Sequence, residues 1–261
     1  MLAVRSLSVS LPKKPYKTLL QNISFDLACG EKLAVLGANG AGKSTLLRCI
    51  SGELTTYQGT ICLANKPLTQ WQPMIKARHL AVMPQSVVLS FPFRVDQVVA
   101  MGRAPYADEE QTRDWQQQAM QMTDVWHLRL RSYSSLSGGE QQRVQLARVF
   151  VQIWHDQQQP VAPDRCLLLD ECTSALDPAH QYSLMAQVSR IANEGVAVLA
   201  VMHDMGLAAS WADRVLILKQ GSVMAYGDVH LLHDHQVLAQ AYDLPSDLAQ
   251  RYARWHQSEF A

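Results

Sequence analysis

The stretch Gly37-Ala38-Asn39-Gly40-Ala41-Gly42-Lys43-Ser44-Thr45 constrains this chain more than any other. Its spacing is G-x-x-x-x-G-K-S, and it lies between an apolar strand-type run, Lys32 to Leu36, and the helix-forming residues Thr45 to Ile50. A strand that turns into a helix over bare glycines leaves backbone N–H groups facing into the turn, with no Cβ to block an incoming polyphosphate. The helix N-terminus adds partial positive charge at the same place. Gly37, Asn39, Gly40, Ala41, Gly42, Lys43, Ser44 and Thr45 are therefore expected to form a nucleotide phosphate site. Lys43 is expected on the β- and γ-phosphates and Ser44 on Mg²⁺.

With 261 residues the chain can bury a large core, and a single domain with an added lobe is the expectation. Its 23 basic and 23 acidic residues cancel, which argues against bulk attraction to nucleic acid. In the C-terminal half the longest apolar run is Val196 to Met202, too short to cross a bilayer. Arg5 interrupts the first apolar stretch, so no signal peptide is expected. The five cysteines, Cys29, Cys49, Cys62, Cys166 and Cys172, are odd in number and make no C-x-x-C pair. Reduced, partly buried thiols are expected.

Leu2 to Leu11 and Leu19 to Leu27 read as two antiparallel strands ahead of the loop. Between them Tyr16 has two readings, a turn aromatic covering a sheet edge or a platform for adenine. Trp71 to Arg78 reads as a short helix broken early by Pro73. From about residue 86 to 162 the pattern becomes helical. Trp115, Ala119, Met122 and Trp126 recur on one helix face, predicting a helix through Trp126. Strand-type runs then return at 165–170, 196–202 and 215–218, alternating with helical segments. The fold class expected is α/β. A P-loop core of about 1–85 and 163–261 carries a mostly parallel sheet with N-terminal antiparallel strands, and a helical subdomain is inserted at about 86–162.

A second constellation gives the loop its context. Leu136-Ser137-Gly138-Gly139-Glu140-Gln141 has a capping-box spacing, Ser137 to Glu140, and two glycines keep the first helical turn bare. Such an end suits an anion brought from outside. Further on, an apolar run leads into Asp170-Glu171. The first carboxylate suits Mg²⁺ and the second suits polarising a water, whereas two acids at a buried strand end have no structural use.

With these motifs the chain resembles the ATP-binding subunits of ABC transporters over nearly its whole length. Gly37 to Thr45 matches the Walker A loop and Gln85 the Q-loop glutamine. Leu136 to Gln141 matches the signature motif, Cys166 to Asp170 Walker B, and Glu171 the catalytic glutamate. Ser174-Ala175-Leu176-Asp177 matches the D-loop, His203 the switch histidine and Tyr16 the adenine-stacking aromatic. The resemblance implies ATP hydrolysis by a head-to-tail homodimer. Walker A of one copy then faces Ser137, Gly138 and Gly139 of the other, and Asp177 contributes nearby. Glu171, His203, Lys43 and Gln85 are the implied catalytic residues, with Ser44, Gln85 and Asp170 on Mg²⁺. One departure is Cys172, where the family has proline. A less rigid turn is expected there.

The resemblance also implies partners. The chain would serve two transmembrane permease subunits, contacted around residues 86–106, and indirectly an extracytoplasmic substrate-binding protein. It would sit on the cytoplasmic face of a bacterial inner membrane. Val99 to Tyr106, containing Met101-Gly102-Arg103-Ala104-Pro105, is similar to a stretch of importers for iron chelates, haem and cobalamin. The long polar connector Trp154 to Arg165 resembles the hemin import group more than the siderophore group. Siderophore or cobalamin import stays open as the alternative. A soluble ABC ATPase acting on nucleic acid is the other rival, and the chain lacks both the long insertions and the second cassette of such proteins. His230, His233 and His235 have two readings, metal or haem ligands or surface histidines near a helix end.

Overall fold

The computed structural model describes residues 1–11, 17–87, 89–106, 112–154, 164–174 and 176–258. β1 (Leu2–Leu11) and β2 (Lys17–Leu27) lead to β3 (Lys32–Leu36), the glycine loop and α1 (Lys43–Ser51). β4 (Gln58–Leu63) and β5 (Lys66–Pro67) precede α2 (Pro73–His79) and β6 (Leu80–Met83). α3 (Val95–Ala100), α4 (Thr112–Met122) and α5 (Gly138–Ile153) follow. β7 (Cys166–Asp170), α6 (Pro178–Asn193), β8 (Ala197–Val201), α7 (Met205–Trp211), β9 (Arg214–Lys219) and β10 (Ser222–Asp228) return to the core. α8 (His235–Tyr242) and α9 (Ser246–Ser258) come last. Among the described residues no helix is long and apolar enough to cross a membrane.

The strands make two sheets. The first is antiparallel in the order β2-β1-β4-β5. The second runs β10-β9-β3-β8-β7-β6 and is parallel except for β10. Successive strand residues point to opposite faces, and the apolar runs are sorted accordingly. Leu33 and Val35 enter a core shared with the antiparallel sheet and α1, together with Leu168, Leu199 and Leu216. Ala34 and Leu36 enter the opposite core with Leu167, Leu169, Val198 and Ala200, against the helices. Burial on both faces is why β3, β7 and β8 are apolar without alternation.

The antiparallel N-terminal strands are confirmed, and they lie in a sheet of their own with β4. Two local expectations are corrected. Pro73 opens α2 at its first position, where its missing N–H costs nothing. The helix through Trp126 ends at Met122, because the chain reverses through Asp124 at φ +53° and Val125 N–H closes onto Met120 O at 2.8 Å. Trp126 begins a short 3₁₀ turn and still packs against the helical core.

Phe150 of α5 is fully buried in that core. Phe150→Ala is expected to cost about 3–5 kcal/mol of stability. A shift of the denaturant unfolding midpoint, followed by far-UV circular dichroism, checks this.

Candidate functional site

The register of the parallel strands builds an edge. Met83 pairs with Leu169, Asp170 with Val201, and Val35 with Val201. β3, β6, β7 and β8 therefore finish together, and the residues leaving them are neighbours: Gly37, Gln85, Asp170-Glu171 and His203. Open parallel sheets collect ligands at this carboxyl end.

The glycine loop fits its place tightly. Gly37 has φ +139°, and a Cβ there would sit 2.2 Å from Leu218 O. Gly42, at φ +107°, is the N-cap of α1, with no side-chain cap and no acidic residue in the first turn. The first amides of α1 are thus left for an anion. Lys43 is only 5% exposed, and its Nζ donates to Gly37 O at 2.7 Å and Ala38 O at 3.2 Å. Burial lowers its ammonium below the usual lysine range, while the charges of Glu171 and Asp170 oppose that shift. A desolvated cation beside bare amides favours a polyphosphate. The cleft over this loop measures about 600 Å³ and is lined by residues 39–45 with Glu171, Thr18, Leu19, Gln220 and Gly221.

Glu171 leaves β7 at φ +51°, a left-handed conformation unusual for a glutamate. Its N–H donates to Val201 O at 3.2 Å. This turn places the carboxylate between two other strand ends. Oε2 accepts from Gln85 Nε2 at 2.6 Å, and Oε1 accepts from His203 Nε2 at 2.5 Å. Three residues spaced over more than a hundred positions meet in one hydrogen-bonded cluster.

Asp170 Oδ1 is buried and has no hydrogen-bond partner among the described residues. Burial, then the neighbouring Glu171 charge, raises its carboxyl above the usual aspartate range. An orphaned buried carboxylate oxygen is costly, and a hard divalent cation would satisfy it. Asp170 and Gln85 also share a second cleft of about 200 Å³ behind the loop. Ser44, exposed in the first turn of α1, supplies a hydroxyl. These residues fit Mg²⁺.

Other expected residues lie elsewhere. Ser137 N-caps α5 in a complete capping box: its Oγ accepts from Glu140 N at 3.3 Å, and Glu140 Oε2 accepts from Ser137 N at 2.7 Å. Ser137 and Gly138 are exposed, and none of residues 137–140 lines the phosphate cleft of its own chain. Asp177 caps α6 by accepting from His180 N at 3.1 Å and does not line that cleft either. Tyr16 lies outside the described residues, as do Ala175 and residues 155–163 of the connector. Cys172 is buried, with its thiol pushed up to about 12, which makes it unreactive. His230 and His233 lie with ring centroids 5.4 Å apart, and among the described residues no group of three or more His, Cys, Asp or Glu side chains is placed to hold a metal.

The hairpin turn Gln220-Gly221 escaped the sequence reading as a site element. Gly221 N–H donates to Ala41 O at 3.0 Å, and Gln21 N–H donates to Gly221 O at 2.7 Å, so this turn pins the phosphate loop to β2. In sequence it reads only as a turn dipeptide.

Comparison with known proteins identifies the family. Residues 20–174 match the family model described as ABC transporter. The chain is 47% identical to the hemin import ATP-binding protein HmuV of Pseudomonas putida, over 80% of each chain. It is 45% identical to the protein of that name from Pseudomonas aeruginosa, over 85% of this chain and 84% of the other. Among solved structures, an inward-facing ABC transporter assigned to the metal-chelate type matches with TM-score 0.75 and 27% identity, over 94% of this chain and 89% of that one. A dimeric bacterial ABC transporter cassette matches with TM-score 0.76 and 22% identity, over 88% and 99%.

Replacing Lys43 with alanine removes the buried cation. Affinity for ATP is expected to fall about tenfold or more, measured by titration with a fluorescent ATP analogue. Unchanged affinity would remove the loop from the site.

Proposed function

The chain belongs to the ABC transporter family of ATP-binding proteins, and from that premise we propose that it is the ATP-hydrolysing subunit of a hemin importer. The observation that carries the hydrolytic part is the Gln85–Glu171–His203 cluster facing Lys43 across the sheet edge. The cargo rests on identities of 45–47% to hemin import proteins of several bacteria.

ATP binds with its phosphates on the amides of residues 39–45 and on Lys43. Phosphoryl transfer to water needs little covalent help from a protein, so positioning and charge do the catalysis. Glu171 polarises the attacking water, and His203 holds water and γ-phosphate in place. Gln85 ties the glutamate to the lobe. When bound, Mg²⁺ would be held by Ser44 and Asp170, with Gln85 beside them, and would offset negative charge on the phosphates. Lys43 gives up its contacts to Gly37 O and Ala38 O as it takes the phosphate charge.

The other half of each site comes from a second copy. Ser137 and Gly138 are exposed, and none of Ser137 to Gly139 lines their own chain's cleft, which suits closing a partner's cleft over ATP. Two ATP molecules then sit in a head-to-tail homodimer, with Asp177 near the seam. Two permease subunits dock on the exposed side chains of 86–106, where Phe91 is 69% exposed and Met101 37%. Phe91 stacks edge-on against Phe93 at 6.1 Å. The chain therefore works as a peripheral protein at the cytoplasmic face of the inner membrane, loaded through an extracytoplasmic binding protein.

Two outcomes follow. Glu171→Gln retains ATP binding and accumulates as an ATP-bound dimer by size-exclusion chromatography, while turnover falls by at least about 100-fold; near-normal turnover would sink the assignment of the base. In proteoliposomes holding the chain with its permease, hemin-loaded binding protein stimulates ATP hydrolysis, and ferric siderophore or cobalamin does not. Stimulation by either of the latter would overturn the cargo.

A further inference from the structure

The Met101-Gly102-Arg103-Ala104-Pro105-Tyr106 stretch divides in the structure. Met101 and Ala104 are exposed, whereas Gly102, Arg103 and Pro105 are buried, the first two against α5. A Cβ on Gly102 would stand 2.2 Å from Arg148 O, so the turn lies directly on the helix backbone. Docking can use only the outer half. The inner half has a different partner.

That partner is the C-terminal end of α5, the helix that begins at Ser137. The last four carbonyls of a helix have no partner within it and must be met from outside. All four are met here. Phe150 O accepts from Trp154 N at 2.8 Å. Val151 O accepts from Arg103 Nη1 at 3.1 Å, Gln152 O from Tyr106 Oη at 2.8 Å, and Ile153 O from Arg165 Nη1 at 2.6 Å. α5 has no basic residue in its own last turn, so both cations at the negative end of its dipole are imported. Arg103 is 5% exposed and lies between the rings of Tyr106, at 3.7 Å, and Trp115, at 4.5 Å. Such double stacking fixes the plane of its guanidinium. Arg78 closes the outer side, donating to Pro105 O at 2.8 Å.

We propose that Arg103 and Tyr106 are positioning residues that fasten the permease-facing segment to the end of α5, so that the segment and Ser137 at the far end of the helix move as one body. The proposal rests on the transporter reading. Arg165 stands one residue before β7, so the same end of the helix is also held to the strand that ends at Asp170 and leads into Glu171. The fastened end acts as the pivot, and the signature end, roughly 24 Å away along a 16-residue helix, is the arm. A push on Met101 and Phe91 turns the arm toward or away from the partner's ATP.

The test compares Arg103→Met and Tyr106→Phe, each alone and reconstituted with permease and hemin-loaded binding protein. Tyr106→Phe removes one hydroxyl from a partly buried ring and carries the test if Arg103→Met folds poorly. Turnover of each variant alone is expected to stay within about twofold of wild type, while hemin-stimulated turnover of the complex falls about tenfold for Arg103→Met and about threefold for Tyr106→Phe. The permease still co-purifies, and Arg103→Lys, with a donor but no stacked plane, falls between. Unchanged stimulation in both variants overturns the proposal. Equal loss of basal and stimulated turnover with a lowered unfolding temperature also overturns it, since the residues would then be ordinary packing. Loss of permease co-purification overturns it in favour of a direct docking contact. A wild-type complex that no cargo stimulates fails at the transporter reading itself and removes the clamp's role with it.

Discussion

Everything at the reactive edge depends on a central sheet buried on both faces. Leu33 and Val35 are sealed under the antiparallel sheet while Ala34 and Leu36 are sealed under the helices. A slip of one residue in any central strand would exchange these faces and strand large apolar groups in the wrong core. The register is therefore held by burial on both sides, and so is the line along which the strands end. Gly37, Gln85, Asp170, Glu171 and His203 meet because that line is held, and no local force between them is needed.

The edge itself runs against ordinary preferences. Glu171 holds a left-handed backbone, and among the described residues Asp170 keeps a buried oxygen without a donor and the desolvated Lys43 ammonium is bonded to two carbonyls. Strain of this kind persists only where surrounding structure over-determines it. Here the two cores supply that determination. The two electrostatic conflicts share a direction, since a polyphosphate would satisfy Lys43 and its cation would satisfy Asp170, which is the charge distribution that phosphoryl transfer requires. The signature end of α5 follows another logic. Its capping box satisfies the helix internally and leaves Ser137 and Gly138 exposed, which suits the composite site proposed for it.

Much of this was legible in order along the chain. The loop, Asp170-Glu171 and His203 are local patterns that stand at strand ends, and the capping box is a local pattern that stands at the start of α5. The misreadings were also local. The periodicity of Trp115, Ala119 and Met122 ran on to Trp126 in sequence, but a reversal at Asp124 broke the helix first. Pro73 looked like an interruption and is a start. The expectation of a permease contact around 86–106 stands as a proposal, and within that segment Gly102 and Arg103 face inward onto α5 while Met101 stays exposed. Nothing in the stretch itself distinguishes the two halves.

The sequence alone determined the strand–loop–helix unit, the bare capped start of α5 and the identity of the acids, histidine and lysine. Those properties come from backbone conformation and from side chains a few residues apart, which the chain encodes directly. Only the tertiary structure decided that Glu171 lies between Gln85 and His203, that Gln220-Gly221 pins the phosphate loop, and that Arg103, Tyr106 and Arg165 share the end of one helix. These contacts join residues far apart in the chain, and their distances are set by strand order and helix packing, which spacing in the sequence does not contain.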